Sequence, residues 1–212
     1  MKRRSSGAVY RSHVPKLWNE TIESHRRDVR DAVMDTAAAL VFERGLRAVT
    51  MAQIAERAGI GRATLYKYFS DVDAILHAWH ARQIDSHLRQ LREIQGRAGD
   101  PADRLTSALL AYARIVQRTR SDDTELVKFL HPEQQVHAAH RELDDMVAHL
   151  IADAADAGQL RADVNSSELA SYCLHALNAA ATLTTDAALD RLVTVTVDGL
   201  RSSRRRAAPA RK

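Results

Sequence analysis

The chain has 212 residues, 45% of them apolar and 27% charged, with 8 Gly, 4 Pro and one cysteine. That composition can bury a sizeable core and favours helix throughout; it excludes a compositionally disordered chain and any disulfide within one copy. The net charge of +4 hides a segregation: residues 1–68 carry 13 Lys+Arg against 7 Asp+Glu, residues 69–201 carry 13 against 20, and residues 202–212 carry 5 against none. A basic beginning on an acidic remainder suits a chain that meets a polyanion at one end. Solvated basic termini are the other reading of the same numbers.

Residues 1–25 read as a basic arm, with Lys2, Arg3, Arg4 and Arg11 around a Ser-Ser-Gly stretch. It lacks the apolar segment of a secretion signal, and no run of about 18 apolar residues follows anywhere, so a cytoplasmic, membrane-free protein is expected. Val14, Trp18 and Ile22 recur every four residues, so a helical pattern begins near Pro15 and either precedes or extends the next helix. Residues 26–44 read as a strong helix with Val29, Val33, Ala37, Leu40 and Val41 on one stripe and Gly45 at its end. Thr50 opens a short second helix, and its spacing to Gln53 is that of a capping box. Gly59-Ile60-Gly61 then makes a tight turn in which positive φ is affordable at both glycines, and a third short helix runs from Arg62 to about Tyr68.

Further helices are expected at about 72–94, 102–119, 123–130, 133–157, 166–184 and 186–201, with a clear break at QGRAGDP and another at His131-Pro132. No strand-like alternation occurs. The expected fold is all-α, about nine helices. It divides into the arm, a helical domain over 26–71, a second helical domain over 72–201 and a basic tail over 202–212.

Residues 51–68 fit a helix-turn-helix. Ala52, Ile54, Ala55 and Ala58, with Ile60 and Leu65, supply its small core. The opposite face of the third helix shows Arg62, Thr64, Tyr66 and Lys67. Arg donates two bonds to guanine, Thr touches a thymine methyl, and Lys and Tyr hold phosphates. Read alone, the pattern also suits a plain helical hairpin with a basic surface.

The stretch DTAAALVFERGLRAVTMAQIAERAGIGRATLYKYFSDVDAIL, within Val29 to about Trp79, resembles the DNA-binding domain of the TetR family of transcriptional regulators. The resemblance lies in the order of its parts. An apolar helix with Phe42 ends at Gly45, a capping Thr follows, then Ile-Ala-x-x-Ala-Gly and Thr-Leu-Tyr-x-Tyr-Phe. It covers about a quarter of the chain. It implies that Arg62, Ala63 and Thr64 face bases, that Tyr66, Lys67 and Tyr68 contact phosphates and flanking bases, that Thr50 anchors a phosphate and that Phe69 joins the motif to the fourth helix. The family usually places a Lys at the start of that helix. Here the position is Val72, flanked by Asp71 and Asp73, and the arm, with Arg3 and Arg4, is expected to replace the lost contact.

One short reading helix makes too few contacts for specificity, so two copies about one DNA turn apart are expected. Leu169, Cys173, Leu177 and Ala180 form one apolar stripe, and Leu189, Leu192, Val193, Thr196 and Leu200 another, which suits a four-helix dimer interface or burial within one subunit. Trp79, Tyr112, Ile115, Val116, Phe129, Met146 and Leu150 are candidates to line an effector pocket, although each suits ordinary core as well. The resemblance implies a homodimeric, ligand-responsive repressor of a palindromic operator, released when a small molecule shifts the reading heads through the long fourth helix.

Two other functions are compatible with parts of the sequence. A ligand-independent architectural DNA binder would show little sequence preference. A metal-responsive regulator would use His131, His137 and His140, with Glu133 one turn away, but no cysteine lies near and the segment is polar. No cofactor or metal is expected. Phosphate-loop, nucleophile-elbow and zinc-hydrolase patterns are missing from the sequence, and Asp144, Asp145, Asp153 and Asp156 read as a solvated face, so an enzyme is not expected.

Overall fold

The structure, a computed structural model, describes residues 16–121 and 133–201. Among the described residues there are eight α-helices, two 3-10 turns and no strand. The chain forms two compact units that divide between Leu76 and His77, one turn into a helix rather than at 71/72.

The amino-terminal unit begins with α1, Lys16–Arg44, so the upstream pattern extends the strong helix instead of preceding it. Val33, Met34, Ala37, Ala38, Leu40 and Val41 form its buried face, Val29 is half-buried, and residues 21–28 are all exposed. Phe42 is 42% exposed, and its neighbour Val41 takes the core position. Gly45, at φ 84°, ends the helix with its N–H on the Val41 carbonyl at 2.8 Å. A 3-10 turn, Leu46–Ala48, leads to α2, Met51–Arg57, and α3 follows as Arg62–Leu65.

The carboxy-terminal unit contains most of α4 (Val72–Gln95), then α5 (Pro101–Ser121), α6 (Glu133–Asp156), α7 (Ser166–Leu177) and α8 (Asp186–Leu200). Its core takes Leu88, Leu91 and Ile94 from α4 and Leu105 and Leu109 from α5. Leu150 and Ile151 join from α6, Leu177 from α7 and Leu189 from α8. Each fully buried leucine contributes about 1.5–3 kcal/mol by leaving water.

Side chains fix the helix starts. Asp71 accepts the Ala74 N–H at 2.7 Å, Asp100 that of Asp103 at 3.1 Å, Asn165 that of Ser167 at 2.9 Å and Thr185 that of Ala188 at 3.3 Å. Asp71 is therefore the cap of α4, which accounts for the acid beside Val72. The Arg104 guanidinium ties three helices, donating to the Gln95 carbonyl at 3.0 Å and to Asp153 at 3.2 Å. Asp153 is thus a structural partner and not part of a merely solvated face.

The helix expected over 166–184 stops at Leu177 and tightens into a 3-10 turn, Asn178–Thr182. The Gln117 amide donates to the Leu183 carbonyl at 2.8 Å and so satisfies backbone at the break. The helix expected over 123–130 lies outside the described residues.

Candidate nucleic-acid interface

The helix-turn-helix is built from local devices that its sequence announces. Thr50 and Gln53 close the capping box: the Gln53 side chain takes the Thr50 N–H at 2.9 Å, and the Thr50 hydroxyl takes the Gln53 N–H at 3.4 Å. The α2 end is a Schellman turn, with the Ile60 N–H on the Ala55 carbonyl at 3.0 Å and the Gly59 N–H on Glu56 at 3.2 Å. Gly59 has φ 68°, which a side chain would strain. Gly61 does not need its freedom. Its φ is −68°, and a Cβ there would meet only the Thr64 hydroxyl at 3.8 Å.

Regular α geometry covers just one turn of the third helix, and hydrogen-bonded turns carry it on. The Tyr66 N–H reaches Arg62, Lys67 reaches Thr64, Tyr68 reaches Leu65 and Phe69 reaches Leu65, all at 2.9–3.1 Å. Burial then separates two roles. Ile54, Ala55, Leu65 and Phe69 are buried, at 5% exposure or less, and Ala52, Ala58 and Ile60 are half-buried. Arg62, Ala63, Thr64, Tyr66 and Lys67 are exposed, Tyr66 by 56%; Tyr68 is half-buried and Thr50 exposed. The described residues therefore present guanidinium, methyl, hydroxyl, phenol and ammonium groups along one short segment whose own packing rests on Leu65 and Phe69.

Two tertiary contacts in this unit were not readable from spacing. The Arg57 guanidinium grips Glu43 with two parallel bonds of 2.7 Å each, tying α2 to α1. That hydrogen bonding holds the Glu43 carboxyl below its ordinary range and raises Arg57. Arg30, on α1, lies over the Phe69 ring, 5.2 Å from its centre. An open cleft of about 320 Å³ beside the Glu43 clip is lined by Leu40, Arg44, Gln53, Glu56 and Arg57, a lining too charged for an apolar effector.

The expected effector residues of the carboxy-terminal unit separate. Met146 and Leu150 are buried core, at 4% and 0% exposure. Tyr112 and Val116 are half-buried against that core, and Trp79 and Ile115 are half-buried as well. Burial, with Asp144 nearby, raises the Tyr112 phenol and keeps it a donor; burial and then Arg118 lower His87. Phe129 lies outside the described residues.

Of the two readings of the apolar stripes on the last helices, the packing follows burial within one subunit. Leu169, Cys173, Leu177, Ala180, Leu189, Val193, Thr196 and Leu200 are all buried inside their own subunit, at 7% exposure or less, and Leu192 is half-buried. Periodicity finds an apolar stripe but not which surface it meets; here it meets α5 and α6. The outward faces of α7 and α8 carry Tyr172, 48% exposed, and Val195, 67% exposed. A Cβ on Gly199 would stand 3.2 Å from the Tyr172 hydroxyl, so the two helices touch there.

For the metal hypothesis, His131 and the side chains of Glu133 and His137 lie outside what is described, and His140 is exposed. Among the described residues no group of three or more His, Cys, Asp or Glu is placed to hold a metal ion, and no helix is long and apolar enough to cross a membrane. The arm residues Lys2, Arg3, Arg4 and Arg11 also lie outside the described residues.

Residues 33–79 match the family model of bacterial regulatory proteins of the tetR family, and residues 100–202 match that of the SbtR-like transcriptional regulator C-terminal domain. An uncharacterised HTH-type transcriptional regulator of Mycobacterium tuberculosis is 32% identical over 114 residues, covering 53% of this chain and 56% of that one. The HTH-type transcriptional repressor KstR2 of the same organism is 32% identical over 88 residues, covering 42% and 44%. The chain thus spans about half the length of the curated relatives it matches. A TetR/AcrR-family regulator structure from Thermobifida fusca superposes with a TM-score of 0.70 at 22% identity, over 82% of this chain and all of that one. A TetR-family regulator structure from Streptomyces coelicolor gives 0.64 at 16% identity, over 89% and 97%. The two family models meet the two units of the fold in order, and the chain belongs to the TetR family of bacterial regulatory proteins.

Proposed function

We propose that this protein is a transcriptional repressor that binds a palindromic operator as a homodimer and is released by a small molecule. The observation that carries the reading is the exposed row Arg62, Ala63, Thr64, Tyr66 and Lys67, held by the buried Leu65 and Phe69. Arg62 and Thr64 suit base edges, Tyr66, Lys67 and Tyr68 suit the flanking backbone, and Thr50 suits a phosphate at the start of α2. The arm, through Arg3 and Arg4, adds phosphate or minor-groove contacts that Val72 does not make.

Dimerisation falls to the outward faces of α7 and α8. Tyr172 and Val195 are the large apolar groups that these helices leave exposed, and Gly199 keeps the strip beside Tyr172 flat. The effector site falls to the half-buried Trp79, Tyr112 and Val116, with the neutral phenol as a hydrogen-bond donor among apolar walls. The names of relatives support the repressor sense, since KstR2 is a repressor.

The test is selection of duplexes from a random-sequence pool by the full chain. A two-fold symmetric sequence should be enriched, and Arg62→Glu with Lys67→Glu should abolish that selectivity. Equal binding of enriched and scrambled duplexes would favour the architectural reading and sink this one.

A further inference from the structure

We infer that Arg30 is a positioning residue for base reading: from α1 its guanidinium lies on the Phe69 ring and steadies the end of the reading segment. The inference rests on the DNA-reading proposal above.

The segment needs such support because of its length. A single α-turn, Arg62–Leu65, fixes several dihedrals for few hydrogen bonds and does not hold an orientation by itself. Its orientation is set where it is tied down. At the leading side the tie is the Schellman turn through Gly59, whose bonds return to Ala55 and Glu56. At the trailing side the chain leaves α geometry after Leu65 and is carried by turns to Phe69, whose N–H returns to Leu65 at 3.1 Å. Phe69 is the next buried anchor after Leu65, and the side chains proposed to touch phosphate, Tyr66, Lys67 and Tyr68, lie between the two. A shift of that ring moves all three.

Arg30 lies on the ring that sets this anchor. It sits on α1 between the half-buried Val29 and the buried Val33, where the helix passes from its exposed half to its core half. At 5.2 Å from the centroid, the cation is within range of the negative face of the ring, and a planar guanidinium stacks there as an ammonium does not. Arg30 and Phe69 stand 39 positions apart, outside any local motif, and the contact joins the first helix of the unit to the exit of the reading segment. Arg30 acts through the ring rather than on a base or a phosphate.

The experiment uses the full chain and two probes: a duplex enriched from a random pool by the wild-type protein, and a scrambled duplex of the same composition. Affinities are measured at two salt concentrations for wild type, Arg30→Met, Arg30→Lys, Phe69→Leu and the Arg30→Met/Phe69→Leu double variant, each matched for helix content. Arg30→Met is expected to weaken the enriched duplex about three- to tenfold while the scrambled duplex and the salt slope stay as they were. Arg30→Lys recovers only part of the loss. In the Phe69→Leu background, Arg30→Met costs nothing further.

Unchanged affinity for Arg30→Met overturns the inference. So does full recovery by Arg30→Lys, and so does an equal loss on both duplexes with a shallower salt slope, which would make Arg30 a phosphate contact. If wild type enriches no duplex, the DNA-reading proposal falls first, before any variant is compared.

Discussion

The two units carry their proposed functions in opposite ways. In the amino-terminal unit the residues proposed to act, Arg62, Ala63, Thr64, Tyr66 and Lys67, are exposed, and a separate set, Ile54, Ala55, Leu65 and Phe69, holds them. In the carboxy-terminal unit most residues first considered for function, from Met146 and Leu150 to Leu177 and Val193, are the core itself. Reading and support are divided between different side chains in one unit and merged in the other. Substitution in the first should therefore change affinity without stability, and in the second stability before anything else.

The largest effect should come from the exposed row. Reversing both charges, Arg62→Glu and Lys67→Glu, is expected to lower affinity for a selected duplex at least about 100-fold, with the melting temperature held, because each good base contact contributes roughly 1–3 kcal/mol. A parallel fall in melting temperature would erase the division between the two sets.

Next in size is the core. Leu109→Ala, at a fully buried site, should cost about 2–5 kcal/mol of unfolding free energy in denaturant titration. A cost under about 1 kcal/mol would mean the carboxy-terminal core is not packed as described.

The interface test separates the inner from the outer side of the last two helices. Tyr172→Glu with Val195→Arg should yield monomers by light scattering with helix content unchanged, since both side chains are exposed in the subunit. Persistence of dimers at micromolar concentration would move the interface elsewhere.

The smallest effect is local. Thr50→Ala should cost about 1 kcal/mol, within 0.5–2 kcal/mol, through loss of the cap that Gln53 answers. The Glu43–Arg57 clip should show in pH dependence. The folded carboxyl ionises below its ordinary 4.5, so its contribution is complete above that value and disappears as the pH falls below it. An Arg57→Met chain should lose that acid-side dependence, and retention of it would assign the effect to another carboxyl.

How much of this was legible depended on range along the chain. Thr50–Gln53 and Gly59 are local devices, three residues or one residue wide, and their spacing predicts their geometry. Asp71 is as local, yet beside Val72 it reads as the loss of a phosphate contact rather than as a cap. Arg30 on Phe69 and Glu43 on Arg57 join positions 39 and 14 apart, and only the folded arrangement of helices brings them together. On the last two helices the apolar repeat marked the side that enters the subunit. The outward side mixes Tyr172 and Val195 with Ser171, His175, Asp190 and Thr194, so no periodicity distinguishes it from ordinary solvated surface.

Cys173 adds a chemical marker for the buried side. Its thiol has no exposed surface, and burial pushes it up to about 12. It should resist thiol reagents at pH 8 until the unit opens, so labelling rate reports opening directly.

The one-turn reading segment has an evolutionary corollary. Between Gly61 and Phe69 only Leu65 is fully committed to the interior, so five neighbouring positions are free to vary without disturbing the architecture. If these positions read bases as proposed, duplicated copies of such a gene would change operator preference by exchanging a handful of surface residues. A laboratory library confined to residues 62, 63, 64, 66 and 67 should therefore yield folded variants, and selection on random duplexes would show whether their preferences differ.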